Sequence, residues 1–252
     1  MNKRRRFGPR GFDFYVKWSV GNWAEEITYR FGKEVLASRL ELDVFRYGYS
    51  AGRIPESLEE FEKILEEREK LEYGKRPNFL IFREDFASMN SSELSTLMRR
   101  PEKEVEHLVR EAVAAIEVEQ SMWCAKKARQ AKKKLSFTVK EEDLPGLYEW
   151  KEKYHKKIII FQIFLDELHG TLLEDVISKG NKRKERKTHK VTYYFPISED
   201  TRLADIEKVE IETKAWFTKE GQLIPFVVFK GGMIINENDH AIKKLFQERL
   251  ID

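Results

Sequence analysis

The stretch Ala114-Ala115-Ile116-Glu117-Val118-Glu119-Gln120-Ser121-Met122-Trp123 constrains the fold more than any other part of the chain. Apolar residues alternate with Glu117 and Glu119, so an extended strand here buries one face and sets both carboxylates on the other. Carboxylates held that close repel, and their pairing calls for a divalent cation, a shared proton or cationic neighbours. Taken alone, the segment also fits a half-buried strand whose polar face is solvated.

Its surroundings narrow the choice. The apolar run Phe79-Leu80-Ile81-Phe82, introduced by Arg76-Pro77-Asn78, reads as a second strand. Downstream, Ser121 to Lys134 reads as a basic helix carrying Lys126, Lys127, Arg129, Lys132, Lys133 and Lys134. Such a run is either a solvated face or a phosphate-attracting one, and beside two carboxylates it offsets the repulsion an approaching polyanion meets.

Helical spacing of Trp23, Ile27, Phe31 and Val35 predicts a helix capped by Asn22, with Glu26 at the border of its apolar stripe. Leu58, Phe61, Ile64, Leu65 and Leu71 predict a second helix, Met89 to Thr96 reads as a loop, and Val105 to Val113 forms a third helix running into the acidic strand. Leu135 to Val139 reads as a strand, Leu144 to Tyr154 as a helix, and Ile158 to Leu165 as a buried central strand. Beyond it, the polar segment 181–190 reads as a basic loop. Strands at Val191–Phe195, Val209–Phe217 and Leu223–Phe229 follow, with a turn at Lys219-Glu220-Gly221 and a final helix from Asp239 to Leu250.

The 252 residues, 41% hydrophobic, suffice for one large core, and no Pro/Gly/Ser-rich tract separates domains. We expect a single domain, its core about residues 20–170 and a β-rich extension about 171–252. Lys+Arg 47 against Asp+Glu 44 leaves a net charge of +3, too small to identify a polyanion partner, so clustering carries the argument. The single Cys124 excludes an internal disulfide and fits a reducing compartment. Residues 2–11 are a basic arm that grips phosphates or a soluble tail. No apolar run follows them, which gives the expectation of a cytoplasmic protein without a membrane span. The sequence carries no internal repeat, P-loop, zinc-spaced Cys/His set or Ser-His-Asp arrangement.

Pro77-Asn78 before one strand and Glu117-Val118-Glu119 on the next resemble the layout of the PD-(D/E)XK nucleases with two letters changed. The order Glu117-Val118, Ser121, then Ser136-Phe137-Thr138, Lys140, Glu142-Asp143, Trp150 and Gln162 with Asp166 is similar to one branch of the type II restriction endonucleases. The resemblance spans roughly Asn22 to Gly170. It implies an α/β fold: a restriction-endonuclease-like core with a central mixed sheet flanked by helices, extended by C-terminal β-hairpins. It also implies Mg²⁺-dependent, sequence-specific cleavage of double-stranded DNA by a homodimer.

On this resemblance Asn78 and Glu117 hold the metal, while Glu119, in the position usually held by Lys, and Lys140 complete the catalytic set. Glu26 and Gln162 are secondary candidates, the former against a helix-dipole role and the latter against that of a buried, hydrogen-bonded amide. DNA contacts fall to Gln120, Ser121, Lys126, Lys127 and the segment with Lys182, Arg183, Lys184, Arg186 and Lys187. Asn78 stands where the family has Asp. A natural variant compensated by Glu119, an inactivating substitution and a chance motif match all account for it. A catalytically silent DNA-binding protein on this fold is the alternative function.

Overall fold

The computed structural model describes residues 12–48, 55–70, 75–184, 190–218 and 221–250. Its longest helix, α1 (Phe12–Phe31), begins ten residues before Asn22, so Asn22 lies inside it and is not its cap. It continues as a wide-turn helix over Gly32–Leu36 and a last turn at Ala37–Leu40. Strand β1 (Leu42–Arg46) follows, then α2 (Leu58–Lys70), β2 (Phe79–Arg83), α3 (Glu102–Glu111) and β3 (Ala114–Gln120). The expected loop after Ser88 is instead two short helices, Glu84–Met89 and Ser91–Leu94.

The basic helix is shorter than its charge run suggests. Residues 121–124 form a loop, and α4 covers only Ala125–Gln130. Asp166 sets its start by accepting from the amides of Ala125 (2.5 Å) and Lys126 (3.0 Å), satisfying donors that a helix N-terminus leaves open. Past its end Lys132 takes φ 54°, which stops the helix from continuing.

Strand β4 (Ser136–Lys140), α5 (Leu144–Tyr154), β5 (Lys157–Ile163), β6 (Glu167–Leu172) and α6 (Leu173–Lys179) come next. The polar segment after Gly180 opens as strand β7 (Asn181–Lys184), not as a loop, and Arg186 and Lys187 lie outside the described residues. Strand β8 (Val191–Pro196), the long β9 (Arg202–Phe217) and β10 (Leu223–Ile235) follow, then a C-terminal helix made of α7 (Asp239–Lys243) and a wide-turn continuation over Lys244–Glu248.

Seven strands form one mixed sheet in the order β1-β2-β3-β5-β6-β9-β10, and β3 and β5 are its parallel pair. The β9–β10 hairpin extends this sheet, as expected of the C-terminal strands. Strand β8 does not: it joins β4 and β7 in a separate three-stranded sheet. Strand β4 falls within the core expected over residues 20–170, but the parallel pairing of β3 with β5 leaves no room for it between them. It lies over one face of the sheet instead.

Alternation sends Ile116 and Val118 to the face covered by α1, where Val20, Trp23, Ala24 and Ile27 pack with Ala241, Ile242, Leu245 and Phe246 from the C-terminal helix. Ala115, Ile158 and Ile160 face the other way, against Val105, Leu108 and Val109 of α3, Phe137 and Val139 of β4, and Leu147 and Trp150 of α5. The ribbon crosses α1 at Gly231-Gly232, where the ladder skips Gly232 and Lys208 without changing register and both glycines have positive φ. A side chain at Gly232 would lie 2.6 Å from Ile27, so close packing there requires glycine.

Candidate active site around Glu117 and Glu119

Strand β3 places Glu117 opposite Ile160 and Glu119 opposite Gln162 of β5, both carboxylates on the face covered by β4 and α5. Glu117 is 3% exposed. Its Oε1 accepts from the Lys75 ammonium at 2.5 Å, and its buried Oε2 has no hydrogen-bond partner among the described residues. Asp143 approaches the same ammonium at 3.8 Å. Burial raises the Glu117 pKa, with Lys75 opposing. Burial lowers that of Lys75, but Glu117 and Asp143 outweigh it and the net shift is upward.

Glu119, half-buried, opens into a cleft of about 540 Å³. Lys17 of α1, Gln120 at the end of β3, Ser121 and Trp123 of the loop that follows, and Lys140 at the end of β4 also line it. Burial pushes the Glu119 carboxyl up to about 7, against the pull of Lys140 and with the help of the negative charge on Glu117. Glu119, Lys140, Gln120 and Ser121 thus share one opening. Lys126 faces elsewhere and pairs with Asp205 at 3.4 Å, and Lys127 is exposed on the same short helix.

Asn78 sits at the start of β2 as a three-way tie. Its Oδ1 accepts from the Val118 amide at 2.8 Å and its Nδ2 donates to Glu25 Oε1 at 3.0 Å. Its backbone carbonyl accepts from Tyr47 and Gly48. It therefore holds β3, α1 and the chain after β1 together. The acid that α1 brings to it is Glu25, not Glu26. Glu26 is exposed and pairs with Arg46 at 2.7 Å, because α1 turns its adjacent residue toward the sheet.

Gln162 is 1% exposed, and its Oε1 accepts from the amide (3.0 Å) and hydroxyl (3.1 Å) of Thr138, fastening β4 onto β5. Lys182 pairs with Glu141 and lies over Tyr193, Arg183 lies over Tyr194, and Lys184 is exposed. Periodicity missed Lys75, Asp143, Glu25 and Lys17. The nearest signal was position: Lys75 precedes Pro77-Asn78 by two residues, and Asp143 ends the Glu141-Glu142-Asp143 run beyond Lys140.

Among the described residues no three or more His, Cys, Asp and Glu side chains gather as a metal cage. Mg²⁺ does not need one, because it takes one or two carboxylates and completes its shell with water and substrate phosphate. Glu117, with its unmatched Oε2, and Glu119 on the same face fit that requirement. Asn78 contributes no charge, and its carboxamide already bonds Val118 and Glu25.

A mixed α/β protein with an acid pair on a central strand, facing a lysine-edged cleft, has the layout of a phosphodiester-cleaving enzyme. The sequence pattern of the AccI restriction endonuclease family matches residues 9–134, half of the chain, and the chain belongs to that family. The match covers α1, Lys75, Asn78 and both acids of β3, and ends before Lys140. No curated protein and no solved structure matches the chain.

Proposed function

We propose that this protein is a type II restriction endonuclease that cleaves double-stranded DNA at a specific sequence in the presence of Mg²⁺, its main sheet serving as the nuclease core. The observation that carries this reading is the acid pair: Glu117 buried with one oxygen unmatched, Glu119 opening beside it onto a cleft with Lys17 and Lys140 at its edge. Glu117 and Glu119 would hold the cation, and Asn78 sets their strand by gripping the Val118 amide. The cation, when bound, supplies an activated water and neutralises charge developing on the phosphate.

Lys140 and Lys17 draw the DNA backbone toward the acids, and Lys140 lies where an ammonium can face phosphate oxygens. Gln120 and Ser121, in the same cleft, meet the strand being cut. The exposed Lys127, Arg183 and Lys184 extend the basic contact, while Lys126 and Lys182 must first leave Asp205 and Glu141. A palindromic site mirrors two-fold protein symmetry, so the active species is a homodimer, with twice the chain's mass in light scattering. The setting is the cytoplasm of a prokaryote. Among the described residues no helix is long and apolar enough to cross a membrane.

The second reading, a DNA-binding protein that does not cut, is favoured by Asn78, a neutral residue engaged on both sides where the resembled nucleases place a metal-binding Asp. Plasmid incubated with protein and Mg²⁺ separates them. Discrete fragments support the nuclease, and a sequence-dependent gel shift with intact plasmid supports the binder. Glu117→Gln should lower cutting at least about a hundredfold while DNA binding in Ca²⁺ persists.

A further inference from the structure

The ammonium nearest the acid pair comes from a residue outside the motif order. Lys75 Nζ stands 2.5 Å from Glu117 Oε1 and 3.8 Å from Asp143 Oδ1. Its main chain is held in place by α5: a side chain on Gly146 would lie 2.5 Å from the Lys75 Cβ, so the first turn of that helix rests directly on this lysine. The Lys75 side chain is 34% exposed while that of Glu117 is 4% exposed, so the lysine has an outward route that the carboxylate lacks.

Glu117 is thus neutralised by a cation that can leave, and its second oxygen is buried without a hydrogen bond. A dication on Glu117 and an ammonium at contact distance from the same carboxylate repel each other. We infer that Lys75 is the resident countercation of the acid pair, seated on Glu117 until a divalent cation takes that carboxylate in its place. The inference rests on the proposed role of Glu117 as a metal ligand.

Mn²⁺ binding to the full chain without DNA, followed by the electron paramagnetic resonance signal of the free ion, tests it. Lys75→Met should bind Mn²⁺ at least tenfold more tightly than the wild type, because the competing charge is gone. Lys75→Arg, which keeps that charge, should stay within about threefold of the wild type. Glu117→Gln should remove the gain when combined with Lys75→Met. Thermal melts identify a misfolded variant, and Lys75→Gln replaces the methionine variant should that one fail to fold.

A merely structural Lys75 would give weaker Mn²⁺ binding on its removal. Unchanged or weaker binding in the folded charge-removing variant overturns the inference. Tighter binding in a protein that cuts no plasmid upholds the countercation and removes the nuclease reading. A wild type that cuts, with no tightening in the variant, removes the countercation alone.

Discussion

Glu119 stands at about 7 in the fold, against an ordinary value of 4.5, because burial disfavours its charge. Between those two values the folded protein binds more protons than the unfolded chain, so stability falls as pH rises through the window. Glu119→Gln should abolish that loss, leaving the variant more stable than the wild type at pH 8 and little changed at pH 4. Urea midpoints at the two pH values check it. Asn78→Asp is the informative change at the neighbouring position. It would set a carboxylate 3.0 Å from Glu25 where an amide now donates, and should cost about 1–3 kcal/mol in EDTA. Added Mn²⁺ should restore much of that loss, read as a melting-temperature gain larger than the wild type's. The common face of Glu117 and Glu119 was legible because a strand has period two. The apolar stripe favoured Glu26 and Asn78 meets Glu25 instead, since the phase of α1 depends on where the helix begins and which stripe the sheet takes. Lys75 meets Glu117 and Asp143 meets Lys75 through packing of non-periodic segments, which no spacing rule records.

At the level of elements, strongly apolar runs such as β2 and β5 could be read directly, and weakly apolar ones could not. Strand β6, Glu167-Leu168-His169-Gly170-Thr171-Leu172, carries residues that count against a buried strand. It is nevertheless buried because Arg129 of α4 forks onto Glu167, which also meets His169 at 2.9 Å. Burial raises the Glu167 pKa, but the His169 and Arg129 bonds prevail and bring it down to about 2. Its stabilising share is therefore complete above about 4.5 and disappears as pH falls toward 2. Removing it with Glu167→Gln should cost about 3 kcal/mol at pH 7 and little at pH 2, by denaturant titration at both. The loop between β3 and α4 depends on Asp166 in a similar way. It accepts from Cys124 Sγ and from two amides at the helix start, so Asp166→Ala should cost about 1–2 kcal/mol. Because that loop carries Ser121 and Trp123 into the cleft, DNA binding should weaken with it, as measured by fluorescence anisotropy.

Across the whole molecule, the α/β class followed from the order of segments and the mixed sheet from the family resemblance, but the destination of β4 followed from neither. Its pattern specifies a buried face without saying which sheet receives it. The parallel pairing of β3 and β5 decides the matter. Antiparallel neighbours can be joined by a tight turn, whereas this pair requires the intervening 36 residues to travel back across the sheet. Those residues deliver Thr138, Lys140 and Asp143 over the acids. The carboxylates consequently gain their cover only after the chain has closed its longest excursions, when much of the conformational entropy has already been lost. In pulse-labelled hydrogen exchange during refolding, amides of β9 and β10, joined by a short hairpin, should gain protection before those of β3 and β5. An unfinished chain would then expose two neighbouring negative charges with no Lys140 above them, and a nascent protein would present a bare acidic strand to its surroundings until assembly is complete.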